Sequence, residues 1–397
     1  MSLSRPPAPL SLRQWLKKNL FSTWYNTLLT FVAGAFVLFV LYQVFTWALF
    51  RANWTPVTSS LKLFAVGQYP TEQLWRVGVC LLMVSFLMGL SGGVWGGTLR
   101  NFARALATVL GLAALTPVGL DRMDLGLRLW FLANPALTGL GYLLGRRLAP
   151  KGRWVVLGWL LSFGLTILLL GGLPGMPFLP PVDSGLWGGL LLTFLLALVG
   201  IVASFPIGVL LALGRQSSLP VLKVFCVLFI EMIRGVPLVT ILFMGSIILP
   251  LFLPEDVRID RVVRAMLAMT IFAAAYMAEN VRGGLQAIPK GQIEAAKAVG
   301  LNTFQTMLLI VLPQALRAVI PAIVGQFIAL FMDTTLAIII GLVELLAIGR
   351  AVINSNPEWL LLDMEVYLFI AAVFWVFTYS MSYASRRLER ALGVGER

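Results

Sequence analysis

Few residues in this chain could do polar chemistry, and most of those few lie where a charge is costly. Asp333, Thr334 and Thr335 follow one another near the middle of a long apolar run, with Gln326 two turns earlier. A charge at the centre of a bilayer costs about 2.5–3.5 kcal/mol on insertion scales, so such a set needs a reason. It could offer acceptors and hydroxyls to an ammonium group, or it could hold neighbouring helices together by hydrogen bonds; the residues alone leave both open. Glu231 and Arg234 stand three residues apart and can pair on one helical face, just before Gly235 and Pro237. Because the run they interrupt is too long for one straight span, a paired hinge is expected there. Glu279 and Arg282 repeat the spacing at the end of another apolar run and are expected to anchor the polar stretch that follows.

The absences narrow the chemistry further. There is no histidine, which removes the commonest metal ligand and the side chain best suited to proton transfer near neutral pH. Cys80 and Cys226 lie in apolar runs without redox or metal spacing and read as inert small hydrophobes. The acids are scattered rather than clustered at one depth, which argues against a membrane-embedded enzyme. No G-x-x-x-x-G-K-[ST] phosphate loop occurs, nor any Gly-Lys dipeptide, so no ATP site is expected in this chain. Neither catalytic nor metal-binding residues are assigned.

What must position the polar residues is a membrane. Of 397 residues, 59% are hydrophobic and 12% charged, and the mean hydropathy is +0.91, which points to an all-α polytopic bundle. The net charge of +13 sits in short clusters beside apolar runs, as the positive-inside rule requires, and no basic face with interleaved aromatics suggests nucleic acid. The basic start, MSLSRPPAPLSLRQWLKKNL, precedes an apolar run about twice the length of a signal-peptide core, so a retained first span entered from the cytoplasm is expected. Spans are predicted at 24–50, 74–95, 102–120, 124–144, 154–172, 187–213, 236–253, 264–283, 318–345 and 365–384. Ten is the expected number and eight the fallback, since Arg128 and Pro135 interrupt the fourth.

Alternating sides gathers Arg13, Lys17, Lys18, Arg100, Arg104, Arg146, Arg147, Lys151, Arg153, Arg215 and Lys223 in the cytoplasm with the C-terminal tail. PEDVRIDRVVR, 254–264, falls outside, its three arginines balanced by Glu255, Asp256 and Asp260. GGLPGMPFLPPVDSGLWGG, 171–189, is rich in Pro and Gly and free of Lys and Arg. It reads as an extracytoplasmic linker that divides 1–184 from 185–397. SGGVWGG at 91 and SGLWGG at 184 look alike, but glycine at helix-packing surfaces explains this without a duplication.

One cytoplasmic stretch, 289–321, is polar and alanine-rich between two apolar spans. Gln292 to Val299 are helix formers, Gly300 sits where a left-handed cap would end them, and Asn302 with Gln305 resembles a capping box. A second short helix is predicted from Thr303 to Leu312, closed by Pro313. The small residues Ala295, Ala296 and Gly300 would let another surface come close, with Glu294 and Lys297 as polar edges.

The longer pattern is EAA, three residues, Gly, nine residues, then Ile-x-Leu-Pro. It is matched at Glu294, Ala295, Ala296, Gly300, Ile310, Leu312 and Pro313. It resembles the EAA loop of the integral membrane permeases of bacterial ABC importers. IEMIRGVPLVTILF at 230–243, AYMAENVRGGLQAIPKGQ at 275–292, LPQALRAVIPAIVGQFIALFMDTTL at 312–336 and GLVELL at 341–346 resemble the polar amino acid importers among them. The long first half resembles the M-type permease of general L-amino acid systems. Met332 and Gly325 depart from the Lys and Asn often found there.

The resemblance implies a type I ABC importer permease core over 185–397, with coupling loop 289–313, in the bacterial inner membrane. It further implies alternating access for polar or general L-amino acids, and ATP and Mg on a separate ATPase subunit dimer that docks on this loop. A second, heteromeric permease and a periplasmic or lipid-anchored binding protein are the other implied partners, with membrane lipid around the bundle. An ion-coupled secondary transporter is the alternative. It would call for paired broken helices in two related halves, which are not found.

Overall fold

The computed structural model describes residues 11–115, 125–148, 152–254 and 257–393, and over these it is helical, with only two isolated β-bridges, Gly67 to Trp187 and Gly189 to Glu344. Lys151, Glu255 and Asp256, the end of the expected third span and the last residues of the basic tail lie outside the described residues. Two compact units are formed, residues 1–54 and 55–397. In the first, Ser11 opens α1 (Leu12–Asn19) with a capping box to Gln14, and Thr23 caps α2 (Trp24–Phe50).

The second unit holds α3 (Leu74–Trp95), α4 (Gly97–Leu115), α5 (Leu125–Arg147) and α6 (Gly152–Gly171), then α7 (Gly189–Arg215), α8 (Pro220–Arg234) and α9 (Leu238–Phe243). It continues with α10 (Arg261–Gln286), α11 (Lys290–Ala298), α12 (Leu312–Ala318), α13 (Ile320–Asp333), α14 (Leu345–Asn354) and α15 (Asp363–Ala391). Among the described residues seven helices are long and apolar enough to cross a membrane, or eight if the bent pair Pro220–Arg234 and Leu238–Phe252 counts as one span. The expectation of ten is therefore high. Arg100 and Arg104 in α4, and Arg128, Pro135, Arg146 and Arg147 in α5, dilute the apolar character of those two helices. Taking two consecutive elements out of the count leaves the alternation of sides unchanged.

Those two helices nonetheless pack tightly on α3. Gly89 and Gly93 of α3 lie against the backbone of Thr138 and Tyr142, and Gly141 of α5 lies against Phe86, so closely that a Cβ would fall 2.1–2.4 Å from the facing carbonyl oxygens. Only hydrogen allows this approach, and it brings Ser85 within hydrogen-bond distance, 2.7 Å, of the Asn134 amide oxygen. The glycine-packing reading of SGGVWGG is thus met at Gly93.

The expected kink is found. α8 and the helical segment after Pro237 meet at 105°, because Pro237 cannot donate a helical hydrogen bond and Gly235–Val236 absorb the turn. α10 is the most enclosed span, with 61% of its apolar window buried. Its alanines let α7 approach until Gly208 touches Met277, and Gly284 meets the Ala315 carbonyl of α12. One apolar cluster joins both sides of the 184/185 border, with Val66, Tyr69, Cys80 and Leu170 beside Trp187, Leu192 and Leu196.

Candidate functional site

The loop at 289–313, expected to couple to a partner, is built by two local devices. α11 ends in a paired hydrogen-bond cap: the Leu301 amide donates to the Ala296 carbonyl at 3.1 Å and the Gly300 amide to the Lys297 carbonyl at 2.9 Å. This cap places Gly300 at φ +83°, where a side chain costs about 1–2 kcal/mol. Asn302 and Gln305 then form the capping box reciprocally, at 2.8 and 3.0 Å.

The helix that follows does not stop at Pro313. It runs α over Thr303–Gln305, π over Thr306–Val311 and α again over Leu312–Ala318. The wider π turn carries the chain past the missing Pro313 amide, so the expected closure at Leu312 is corrected to a break at Val319, just before Pro321. Gln314 holds the two helices together, donating to the Ile310 carbonyl at 2.9 Å and to Gln292 Oε1 at 3.3 Å.

The small residues divide between two faces. Ala296 is buried under the loop, while Glu294, Ala295, Lys297 and Gly300 are exposed. Ile310 is half-buried, Leu312 is buried and Pro313 is exposed. Beside Gly300 stand Val299, 79% exposed, and Phe304, 72% exposed. Sequence reasoning passed over both. Two large apolar side chains bare on a polar loop, adjoining a bare glycine, are the signal that could have found them.

The two expected ion pairs prove to be one network. Glu279 of α10 is contacted by Arg215 of α7 and Arg234 of α8, each at 3.6 Å, and by Arg282 one turn on in its own helix. Glu231 is held by Arg215 at 2.8 Å and by Arg234 at 3.8 Å. Arg234 also lies over the Tyr276 ring, 5.5 Å from its centroid. The network ties the ends of three helices together immediately before the α8 break and immediately upstream of the coupling loop. Arg215 was read from sequence only as a cytoplasmic charge; its 16-residue separation from Glu231 gives no helical-face signal.

In the intramembrane set the residues part company. Thr334 is fully buried and its hydroxyl donates to the Phe331 carbonyl at 2.7 Å. Thr335 does the same to Met332 at 2.9 Å. Both hydroxyls thus serve their own helix where α13 tightens into the 3-10 turn Thr334–Ile340. Asp333 and Gln326 are half-buried on one face, flanking the exposed residues Ala322, Gly325, Ala329 and Met332.

Glu344, not singled out from sequence, is fully buried and caps α14, accepting from Leu346 and Ala347 amides at 2.7 and 2.9 Å. Burial pushes its carboxyl up to about 7, against the pull of those two bonds and of Arg350. Among the described residues no cluster of His, Cys, Asp and Glu could hold a metal ion.

The described residues thus form a bundle of helices long and apolar enough to cross a membrane, carrying a capped loop with a bare apolar edge. Residues 204–394 match the family described as "Binding-protein-dependent transport system inner membrane component". The chain is 36% identical over 416 residues to the inner membrane amino-acid ABC transporter permease protein YhdY of Escherichia coli (strain K12), covering 99% of this chain and 98% of that protein. It is 36% identical over 433 residues to the glutamate/glutamine/aspartate/asparagine transport system permease protein BztC of Rhodobacter capsulatus, with 98% and 96% covered. It is 39% identical over 204 residues to the probable glutamine ABC transporter permease protein GlnP of Bacillus subtilis, a match covering 51% of this chain and 92% of that protein. The chain belongs to the binding-protein-dependent family of inner membrane ABC transporter permeases.

Proposed function

We propose that this chain forms the translocation pathway of an ATP-driven importer of polar or general L-amino acids, and that residues 289–313 dock a separate ATPase. The observation that carries the docking is the bare face of Val299, Gly300 and Phe304 on a loop whose two helices are rigidly capped. ATP and Mg2+ belong to that ATPase dimer, since this chain has no phosphate loop. The names of the relatives support amino acids as the cargo.

The second permease is a homologous, non-identical subunit, and it faces α13, where the small exposed residues Ala322, Gly325 and Ala329 lie beside Gln326 and Asp333. On that face Asp333 is the acceptor for the substrate ammonium, whereas Thr334 and Thr335 are structural. A periplasmic or lipid-anchored binding protein delivers the substrate to the outer face, in reach of the segments at 254–264 and 353–359. The importer core occupies 185–397, and 1–184 is an extension; the family match over residues 204–394 supports a core in the second half.

Closure of the ATPase on ATP would move α11, and α10 would transmit that motion to the Glu279 network and the α8 break. The test is co-purification of the ATPase with wild-type chain and with Gly300→Arg. Loss of the ATPase from the variant, with folded permease retained, is the expected result; an equally stable, equally stimulated complex would overturn the docking assignment.

A further inference from the structure

Nothing in the transport cycle uses α1, and its make-up has a pattern of its own. At about 100° per residue, Leu12, Trp15, Leu16 and Asn19 fall within an arc of about 100°, while Arg13, Gln14, Lys17 and Lys18 fill the remainder. Asn19 is neutral in that arc because its amide donates to the Trp15 carbonyl at 2.9 Å. Ser11 and Gln14 fix the start of the helix through their capping box, and Lys17 and Lys18 sit in its last turn, where cations suit the helix dipole. Leu12 is 76% and Trp15 47% exposed, so the apolar edge has no cover within the chain's first unit.

The turn that follows sets the depth of α1. Thr30 of α2 donates to the Leu20 carbonyl at 2.9 Å, and Phe21 packs on Phe31 with ring centroids 5.9 Å apart. The chain therefore folds back so that Leu20 and Phe21 lie beside Thr30 and Phe31, about two turns along the first span from Trp24 and Tyr25, the residue types that settle at the headgroup boundary, and α1 leaves from the side of that span's first turns. No Asp or Glu precedes Glu72 in the sequence, so Arg13, Lys17 and Lys18 have no acidic neighbour in that unit. The basic start faces the cytoplasm by the positive-inside rule.

We propose that α1 lies flat in the cytoplasmic leaflet, with Leu12, Trp15 and Leu16 in the acyl boundary and Arg13, Lys17 and Lys18 bound to the phosphates of anionic phospholipids. The charge complementarity selects this occupant: an uncompensated basic face backed by an apolar edge, tied to the side of a membrane span's first turns, fits an anionic lipid surface. The inference is independent of the coupling-loop assignment.

The test uses the full chain with Cys80 and Cys226 replaced by Ala and a single fluorescent label at Leu16→Cys or Gln14→Cys. The protein is reconstituted in phosphatidylcholine vesicles with and without phosphatidylglycerol. The expected result is quenching of the Leu16 label by doxyl-labelled lipid and protection of that label from iodide, with the Gln14 label the reverse. Phosphatidylglycerol should increase the protection several-fold. The triple variant Arg13→Glu, Lys17→Glu, Lys18→Glu should lose that increase, while Arg13→Lys, Lys17→Arg, Lys18→Arg should keep it and control for folding. Equal iodide access at both labels in both lipids would overturn the proposal. So would protection of Leu16 from iodide and doxyl lipid alike, which would mean that protein covers α1.

Discussion

Glu344 places a carboxyl group out of reach of water, with both oxygens accepting from backbone amides at the start of α14. Its folded-state value of about 7 stands above the ordinary 4.5, so the folded protein holds the proton more tightly than the unfolded chain. The stabilisation from that proton is fully present below about pH 4.5 and is lost as pH rises through about 7. Glu344→Gln keeps an acceptor and removes the titration. Thermal unfolding from pH 5 to 8 should therefore be flatter for the variant than for wild type, by at most about 3 kcal/mol across the window. An identical pH dependence in both would contradict the buried-acid account. Asp333 makes the opposite prediction: under its proposed role as acceptor for the substrate ammonium, Asp333→Asn should leave the unfolding temperature nearly unchanged and lower transport at least about tenfold. Why one residue was legible and the other not is physical. Asp333 interrupts an apolar run, whereas Glu344 sits beside a run's end, where its cap is formed only once α14 and the strand-like contact to Gly189 are in place.

Among the elements, the loop at 289–313 was readable because its signals are local. The cap at Gly300 and the Asn302–Gln305 box are each set by residues within a few positions. The continuation past Pro313 was not readable, since the π turn depends on the packing of Val311 and Ala315 into the core beneath it. The ion network was half legible for the same reason: the i,i+3 pairs show in sequence, and the contacts from Arg215 do not. Glu279→Gln should leave three arginines around one remaining acid. Because the groups are about a quarter exposed, the expected loss is about 1–2 kcal/mol of stability, below the 3–5 typical of a fully buried pair. Coupling should suffer more than folding: basal ATPase activity of the complex should rise or hold while substrate stimulation falls. Equal loss of both would make the network merely structural.

Over the whole molecule, the span count erred where arginine-bearing helices lean on a true span, since α4 and α5 are read by composition as marginal and by packing as partners of α3. The same packing bears on the extension. Val66, Tyr69 and Cys80 share a cluster with Trp187 and Leu192, so a chain starting at residue 185 would bare that surface. A chain starting at Thr55 keeps the second compact unit whole. The shorter deletion should retain ATPase binding with a melting temperature close to wild type, and the longer one should aggregate or melt well below it.

On the proposed function, transport by this chain is driven from the cytoplasm, through residues 289–313, by a partner's ATP. The direct measurement is uptake of labelled L-amino acids into proteoliposomes holding the permease pair, the ATPase and the binding protein, with ATP enclosed or with an ion gradient alone. Uptake that needs ATP and binding protein, and is abolished by Gly300→Arg, is the predicted result. Uptake driven by the ion gradient without ATP would contradict the account.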